Sequence, residues 1–306
     1  MKSVNFKEIK ISKEPTLKTG IKVFDKWFSN EGGMVLPSAI FLTGSSGAGK
    51  TTLMINLMKW LKGTITSIYL REMTKESVKG QTKNIVFDHD NAFVSDKSTC
   101  NTFEEYLKEL DEIKPKVVII DSLQAIAMED YAHLSLEEAC NFISSTLRDW
   151  INKNNAVLFL VGHVTKDDTF AGRNTIMQFM DGHVEMIFHK KEGYRTIAWG
   201  QKNRKGPMGT LYYTFGEKGI EFFTEEEWEE KNKPEKKSFL NCISSSIGNY
   251  FEKIDNKKPN YKDFLKEFNK ESSKIEKSYN EEKISGLEFV LEYIKLMNGL
   301  EEKYNL

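Results

Sequence analysis

The sequence predicts an α/β fold with a central, mostly parallel sheet flanked by helices, followed by a small α-helical C-terminal region. Between Ser38 and about Phe223, short β-rich apolar runs alternate with helical patterns, as in successive βαβ units. After Phe223 the chain becomes highly charged, and the apolar residues that follow recur at helical spacing. The 306 residues leave room for one α/β core of about 200 residues and a smaller second domain.

Four near-continuous apolar runs are predicted to form parallel strands, because such runs are typical where helices cover both faces of a strand. They lie at residues 39–43, 65–70, 117–120 and 157–161. Further β-like runs at residues 182–188, 194–200 and 210–215 are expected to add antiparallel edge strands. The sheet is therefore predicted to be mixed.

The charged segment around Pro234 is interpreted as a linker or a solvated helix end. We therefore predict two domains, residues 1–224 and 225–306. In the second domain two apolar stripes predict a small helical core, and a surface for a protein partner is the alternative. The stripes are Leu240, Ile243, Ile247, Tyr250, Phe251 and Ile254, and then Leu287, Val290, Leu291, Ile294, Met297 and Tyr304.

The composition narrows the class of protein. Hydrophobic residues make up 39% and charged residues 29%, as in globular proteins, and no apolar run approaches the roughly 20 residues of a membrane span. No apolar segment of a secretory signal follows the lysine-rich start, so we expect a cytoplasmic protein without a membrane partner.

The three cysteines, Cys100, Cys140 and Cys242, form no C-x-x-C pair, which argues against a zinc ribbon. The net charge of -1 means that any nucleic-acid contact must come from local loops.

A phosphate-binding motif follows the first predicted strand. Residues 44–51 satisfy G-x-x-x-x-G-K-[ST], and an amphipathic helical sequence comes next. The glycines allow a tight turn that points backbone N–H groups and a helix N-terminus at phosphates. Lys50 adds a charge for the β- and γ-phosphates, and the Thr51 hydroxyl is a ligand for Mg²⁺. We predict that ATP and Mg²⁺ bind here, through Gly44, Ser45, Ser46, Gly47, Ala48, Gly49, Lys50, Thr51 and Thr52.

Two acids are candidates for the rest of the site. Asp121 follows the apolar run at residues 117–120 and is predicted to hold Mg²⁺ with Thr51. An acid at the end of an apolar run is by itself a weak signal, because such acids also stabilise turns and helix caps. The phosphate loop upstream in the sequence favours the role of metal ligand. Glu72 follows the run at residues 65–70 and is the candidate to orient or deprotonate the attacking water. Its alternative role is an acid near the start of the next helix.

Four motifs give the chain a resemblance to the RecA superfamily, in particular to RadA (Sms) ATPases and DnaB-type helicases. Residues 18–25 are similar to the T-G-x-x-x-L-D lead-in of RadA, and residues 118–124 to its V-V-I-D-S-I-Q. Residues 161–166 are similar to G-H-V-T-K, and residues 202–209 lie between K-N-R-F-G of RadA and K-Q-R-N-G-P-T-G of the helicases. Residues 70–74 are closer to the helicase L-E-M-S. The resemblance covers roughly residues 16–216 and implies a RecA-like P-loop core.

The resemblance also implies roles for individual residues. Glu72 would activate water, and His163 would sense the γ-phosphate. Lys202 and Arg204 would reach the ATP of a neighbouring subunit, so a homo-oligomer is expected, a hexameric ring with shared active sites. A solvated basic hairpin is the alternative for these two cations.

Single-stranded DNA is the partner that the resemblance implies, held by loops at residues 122–135 and 164–178. The second contains Lys166, Arg173 and Asn174, which suit phosphate contacts, although Asp167 and Asp168 would oppose them. An ordinary mobile loop is the alternative. The zinc module and Lon-like region of RadA and the N-terminal domain of DnaB are not found, so the core chemistry transfers but the pathway does not.

Three functions are compatible with these features. The first is an ATP-driven motor on single-stranded DNA, a ring-forming helicase or translocase serving recombination or replication. The second is a recombination mediator or strand-exchange ATPase without helicase activity. The third is a KaiC-like, nucleotide-switched regulatory ATPase whose C-terminal helices bind a protein partner.

Overall fold

The computed structural model describes residue 7 and residues 13–162, 173–216, 219–232, 261–280 and 286–304. The chain divides into two compact units, one ending at Glu230 and the other beginning at Lys231. Among the helices of the described residues, none combines the length and the apolar character needed to cross a membrane.

The first unit carries all the described strands and most of the described helices. The strands are β1 (Thr16–Leu17), β2 (Met34–Val35), β3 (Ser38–Gly44), β4 (Thr66–Leu70), β5 (Ala92–Ser95), β6 (Val117–Asp121), β7 (Val157–Val161), β8 (Gly182–His189), β9 (Tyr194–Asn203), β10 (Thr210–Gly216) and β11 (Gly219–Phe223). The helices are α1 (Lys22–Phe28), α2 (Lys50–Trp60), α3 (Lys75–Gln81), α4 (Phe103–Ile113), α5 (Leu123–Asp130), α6 (Leu136–Asn154), α7 (Arg173–Phe179) and α8 (Glu225–Asn232). Helix α8 continues just past the boundary between the units.

A mixed sheet organises this unit, in the order β11-β10-β9-β8-β3-β7-β6-β4-β5. The strands from β8 to β5 run parallel, and β9, β10 and β11 are antiparallel additions at one side. The predicted α/β fold with a mostly parallel sheet is confirmed. The expectation that the run at residues 182–188 adds an antiparallel strand is wrong, because β8 pairs in parallel with β3. The reversal comes one strand later, at the β8–β9 hairpin.

Alternate side chains of the central strands enter two apolar clusters on the two faces of the sheet. Ile40 and Leu42 of β3 lie in one cluster, and Ala39 and Phe41 lie in the other. Every residue of β3 is buried, which accounts for the continuous apolar run in its sequence. Strand β5 differs, because it is short, lies at the edge of the sheet and leaves Phe93 39% exposed. Its sequence therefore gives a weak strand signal.

One buried carboxylate, that of Asp25, holds the segment at residues 18–25 that precedes the sheet. Asp25 Oδ1 accepts hydrogen bonds from the Thr19 backbone N–H (2.9 Å) and hydroxyl (2.7 Å), and its Oδ2 accepts one from Gly20 N–H (3.1 Å). The T-G-x-x-x-F-D sequence thus has a structural basis in this chain. It closes the turn that leads into α1.

Replacing Asp25 with asparagine is expected to lower the free energy of unfolding by about 1–3 kcal/mol, because the amide group cannot accept bonds on both of its atoms. Urea unfolding followed by circular dichroism measures the change. The exposed Glu31→Gln variant, which removes a nearby acid, is the control and should unfold like the wild type. Equal stability of both variants would contradict the structural role of Asp25.

In the second unit, the described residues form helices α9 (Tyr261–Asn280) and α10 (Gly286–Tyr304). Phe264 and Phe268 of α9 pack with buried residues of α10, among them Phe289 and Tyr293. A helical core was predicted, and the stripe assigned to α10 is partly wrong. Met297 and Tyr304 pack against this core as predicted, but Leu291 and Ile294 are 46% and 50% exposed, because Phe289 and Tyr293 face α9 instead. The predicted stripe at residues 240–254 lies outside the described residues.

Candidate nucleotide site

The phosphate loop connects β3 to α2 by a turn that requires glycine. Gly44 has φ +147° and Gly49 has φ +94°, values that disfavour other residues. A Cβ on Gly44 would lie 2.0 Å from the Met186 carbonyl oxygen, and one on Gly49 would lie 2.3 Å from the Phe215 ring. The loop is therefore packed directly against β8 and β10, which fixes its backbone before any ligand binds.

Lys50 is the first residue of α2, and its side chain turns back over the loop. Its Nζ donates to the carbonyl oxygens of Gly44 (2.8 Å) and Ser45 (3.4 Å). Burial lowers the pKa of Lys50, while the negative charges of Asp121 and Glu72 act in the opposite direction. The predicted phosphate-binding cation and the two predicted acids therefore share one electrostatic environment.

Thr51 and Asp121 meet at the carboxyl end of β6. The Thr51 hydroxyl donates to Asp121 Oδ2 at 2.6 Å, although 70 residues separate them in the sequence. A hydroxyl and a carboxylate oxygen side by side, next to a phosphate loop, suit Mg²⁺, which binds proteins through one or two carboxylates and takes its other ligands from phosphates and water. The donor set that the structure assembles therefore fits the predicted metal.

Glu72 is the second residue after β4, and it lies beside Asp121. The two segments are joined by a hydrogen bond from the Arg71 backbone N–H to the Asp121 carbonyl oxygen (2.8 Å). The hydroxyl of Ser122 donates to Glu72 Oε1. Ser122 lies in residues 118–124, which are similar to V-V-I-D-S-I-Q of RadA, but no sequence pattern indicated that it contacts the candidate catalytic acid.

These groups line a cleft of about 560 Å³ that extends from the phosphate loop between two walls. One wall is formed by the segment after Glu72, and the other by the β10–β11 hairpin. Sequence reasoning missed the residues that line the cleft away from the phosphate loop, because nothing in their local pattern indicates a ligand. They include Asn56, Met73, Gln81, Asn84, Phe215 and Gly219.

Lys202 and Arg204 are not brought to this cleft. Strand β9 runs antiparallel to β8. Its carboxyl end, where Asn203 pairs with Gly182, therefore lies at the edge of the sheet opposite to the one that carries the phosphate loop. The Arg204 backbone N–H donates to the Asp181 carbonyl oxygen (2.9 Å). The Asp181 backbone N–H in turn donates to the Ala39 carbonyl oxygen (2.7 Å). Arg204 is therefore level with the start of β3, about 16 Å along the strand direction from Gly44 at roughly 3.3 Å per residue.

The two cations differ in their environments. Lys202 Nζ donates to the Met177 carbonyl oxygen (2.8 Å), and burial together with the charge of Arg204 lowers its pKa. The Arg204 side chain is 56% exposed and lies 3.8 Å from Asp181 Oδ1. Asp181 also accepts from Arg148, so it is not dedicated to Arg204. Arg204 is thus available at the surface, on an edge far from the phosphate loop of its own chain.

The predicted DNA loops are partly helical. Residues 122–135 were expected to be a loop, but most of them form α5, with Leu123, Ile126 and Ala127 buried in the core. His163 and Lys166 lie outside the described residues. Arg173 and Asn174 begin α7, and their side chains also lie outside the described part of the chain.

Comparison with known proteins shows which families this chain resembles. A family model described as an AAA domain matches residues 36–167, which include the phosphate loop, Glu72 and Asp121. The chain is 26% identical over 210 residues to the DNA repair protein RadA of Haemophilus influenzae, covering 67% of this chain and 44% of the relative. It is 27% identical over 216 residues to RadA of Escherichia coli, covering 70% and 46%.

A third RadA, from Streptococcus pyogenes, is 31% identical over 185 residues, covering 59% of this chain and 39% of the relative. The chain therefore spans less than half the length of these curated relatives. Among solved structures, a KaiC-like protein of Pyrococcus horikoshii matches with a TM-score of 0.57 at 20% identity, covering 69% of this chain and all of that one. At this identity the likeness concerns the fold alone.

Proposed function

From the premise that this chain belongs to the RecA superfamily of P-loop ATPases and resembles RadA, we propose that it is an ATP-driven motor on single-stranded DNA. It forms a ring, a hexamer with shared active sites, and acts as a helicase or translocase in DNA recombination, repair or replication in the cytoplasm. The observation that carries this proposal is the separation of Arg204 from the phosphate loop of its own chain.

The cleft supports hydrolysis of ATP. The backbone of residues 44–52 and Lys50 would bind the phosphates, and Thr51 and Asp121 would hold Mg²⁺, which would neutralise phosphate charge. Glu72 lines the same cleft and accepts the proton of the attacking water or orients that water. The resemblance to RadA implies that His163, which follows β7 in the sequence, senses the γ-phosphate.

The distance across the sheet supports a shared site. Arg204 is separated from Gly44 by about 16 Å along the strands and by two strand spacings of roughly 4.8 Å across them. This exceeds the length of an arginine side chain, so Arg204 and Lys202 can act on ATP when it is bound to another subunit. An exposed guanidinium at that edge suits the role of a finger that stabilises transition-state charge.

The names of the relatives support DNA as the partner, since the matched proteins are DNA repair proteins. The segment after β7 carries the proposed phosphate contacts of Lys166, Arg173 and Asn174. A nucleotide-switched regulator, with a protein partner on the C-terminal helices, is the competing function.

Single-stranded DNA is expected to raise the rate of ATP hydrolysis by about tenfold or more, because binding of the strand favours the arrangement of the catalytic groups that is competent for hydrolysis. Phosphate release is measured with single-stranded DNA, double-stranded DNA or RNA, and the assembly mass is measured with ATP present. A strand-displacement assay then separates a helicase from a strand-exchange ATPase. An unchanged rate with every nucleic acid would favour the nucleotide-switched regulator and contradict the motor.

A further inference from the structure

Helix α5 is attached at its first turn to the candidate catalytic acid. Ser122 is fully buried and is the N-cap of α5, where its hydroxyl oxygen accepts a long hydrogen bond from Ala125 N–H (3.5 Å). The same hydroxyl donates to Glu72 Oε1. One atom therefore joins the start of α5 to the carboxylate that faces the cleft.

The other end of α5 is attached to the residue before Glu72. The Arg71 side chain is 2% exposed, and its Nη2 donates to Glu129 Oε2 (2.6 Å) and Asp130 Oδ1 (2.5 Å) in the last turn of the helix. Its Nη1 donates to the Tyr69 hydroxyl (2.7 Å) and the Asn101 carbonyl oxygen (2.8 Å). A buried guanidinium with four acceptors holds the two segments in one arrangement.

Two successive residues after β4 thus contact opposite ends of one helix. An eight-residue helix is about 12 Å long, so contacts at both ends constrain its position and its tilt relative to residues 71–72. A glutamate side chain that is free to rotate samples several rotamers, whereas one fixed through a capped helix keeps one carboxylate orientation.

We propose that Ser122 and Arg71 are positioning residues for hydrolysis, which hold the carboxylate of Glu72 in the cleft by tying it to the two ends of α5. Neither residue contacts ATP in this scheme. The inference rests on the proposed catalytic role of Glu72 and adds that α5 determines where its carboxylate lies. Because α5 directly follows β6, a ligand that displaces this helix changes the hydrolysis rate through these two contacts.

A pair of substitutions at Ser122 separates positioning from capping. Glycine retains most of the N-cap preference of serine and alanine loses it, but both remove the hydroxyl that contacts Glu72. We expect Ser122→Gly and Ser122→Ala to lower kcat alike, by roughly tenfold to hundredfold, as for a catalytic group misplaced by about 1 Å. The dissociation constant of a fluorescent ATP analogue should change by less than about twofold, since phosphate binding is untouched.

Arg71 is tested with Arg71→Lys, which keeps the charge but cannot satisfy four acceptors at once. The milder Glu129→Gln, at a side chain that is 37% exposed, is included in case the first variant does not fold. Both should lower kcat with little change in nucleotide affinity. The control is Lys97→Gln, which removes a partner of Glu129 that has an exposed side chain, and it should leave kcat unchanged.

The outcomes distinguish this inference from the proposed function. If Glu72→Gln retains full turnover, Glu72 is not catalytic and the proposed mechanism fails. If Glu72→Gln is inactive but folded Ser122→Gly has wild-type kcat, positioning by Ser122 is overturned. If Ser122→Ala alone is slow, the serine acts as a cap. If Glu129→Gln and folded Arg71→Lys both have the wild-type kcat, the contact of Arg71 with the last turn of α5 does not position Glu72.

Discussion

Lys50→Ala is expected to abolish ATP turnover, with a loss of at least about 10³-fold in kcat/KM. The Lys50 residue is 7% exposed, and its ammonium group lies 2.8 Å from the Gly44 carbonyl oxygen. In this low-dielectric position its attraction for phosphate is weakly screened, and alanine replaces it with nothing that can donate a hydrogen bond. Steady-state phosphate release measures the loss of turnover, and titration with a fluorescent ATP analogue measures the loss of nucleotide affinity.

The matched control is Lys59→Ala, in the last turn of the same helix, which removes an equal charge away from the loop. Its turnover should equal that of the wild type. Thermal unfolding of both variants confirms that they are folded. Full activity of Lys50→Ala would contradict the assignment of residues 44–52 as the ATP site.

Arg204→Ala is expected to lower kcat by about 10³-fold while nucleotide binding stays nearly unchanged. The side chain is more than half exposed, so its removal should cost little stability, and the effect should appear in the chemical step. The neighbouring cation Lys205 pairs with Glu14, and Lys205→Ala is the control for loss of charge at this edge.

Mixing two inactive variants tests whether the site is shared. In a mixture of equal amounts of Arg204→Ala and Glu72→Gln, about a quarter of the subunit contacts combine an intact Glu72 with an intact Arg204. The expected activity is therefore about a quarter of the wild-type rate. Absence of any recovery, under conditions where the subunits exchange, would mean that each chain carries a complete site.

Local sequence was sufficient for the parts of the site that lie on one strand and its following turn. The phosphate loop, Asp121 and Glu72 each follow a buried apolar run, and parallel strands bring their carboxyl ends to one edge of the sheet. The sequence could not predict Phe215 as the cover of Gly49, because that contact depends on how a distant hairpin packs. The hydrogen bond from Ser122 to Glu72 likewise depends on tertiary structure.

The errors in the predicted fold have similar causes. Strand β5 was missed because an exposed edge strand does not need a continuous apolar run. On α10, the predicted stripe left out Phe289 and Tyr293, which are buried and make ring contacts with Tyr279 and Phe268 of α9. The direction of β8, which pairs in parallel with β3, likewise depends on tertiary pairing that its own sequence does not indicate.

The location of the phosphate loop and Arg204 at opposite edges gives the subunit a polarity. In the proposed assembly, the Arg204 edge of one copy lies against the phosphate-loop edge of the next, which is a heterologous contact. An open chain of copies joined in this way leaves one phosphate loop without an Arg204 and one Arg204 without a phosphate loop. In that assembly, closure of the ring is also the condition under which no active site is left incomplete.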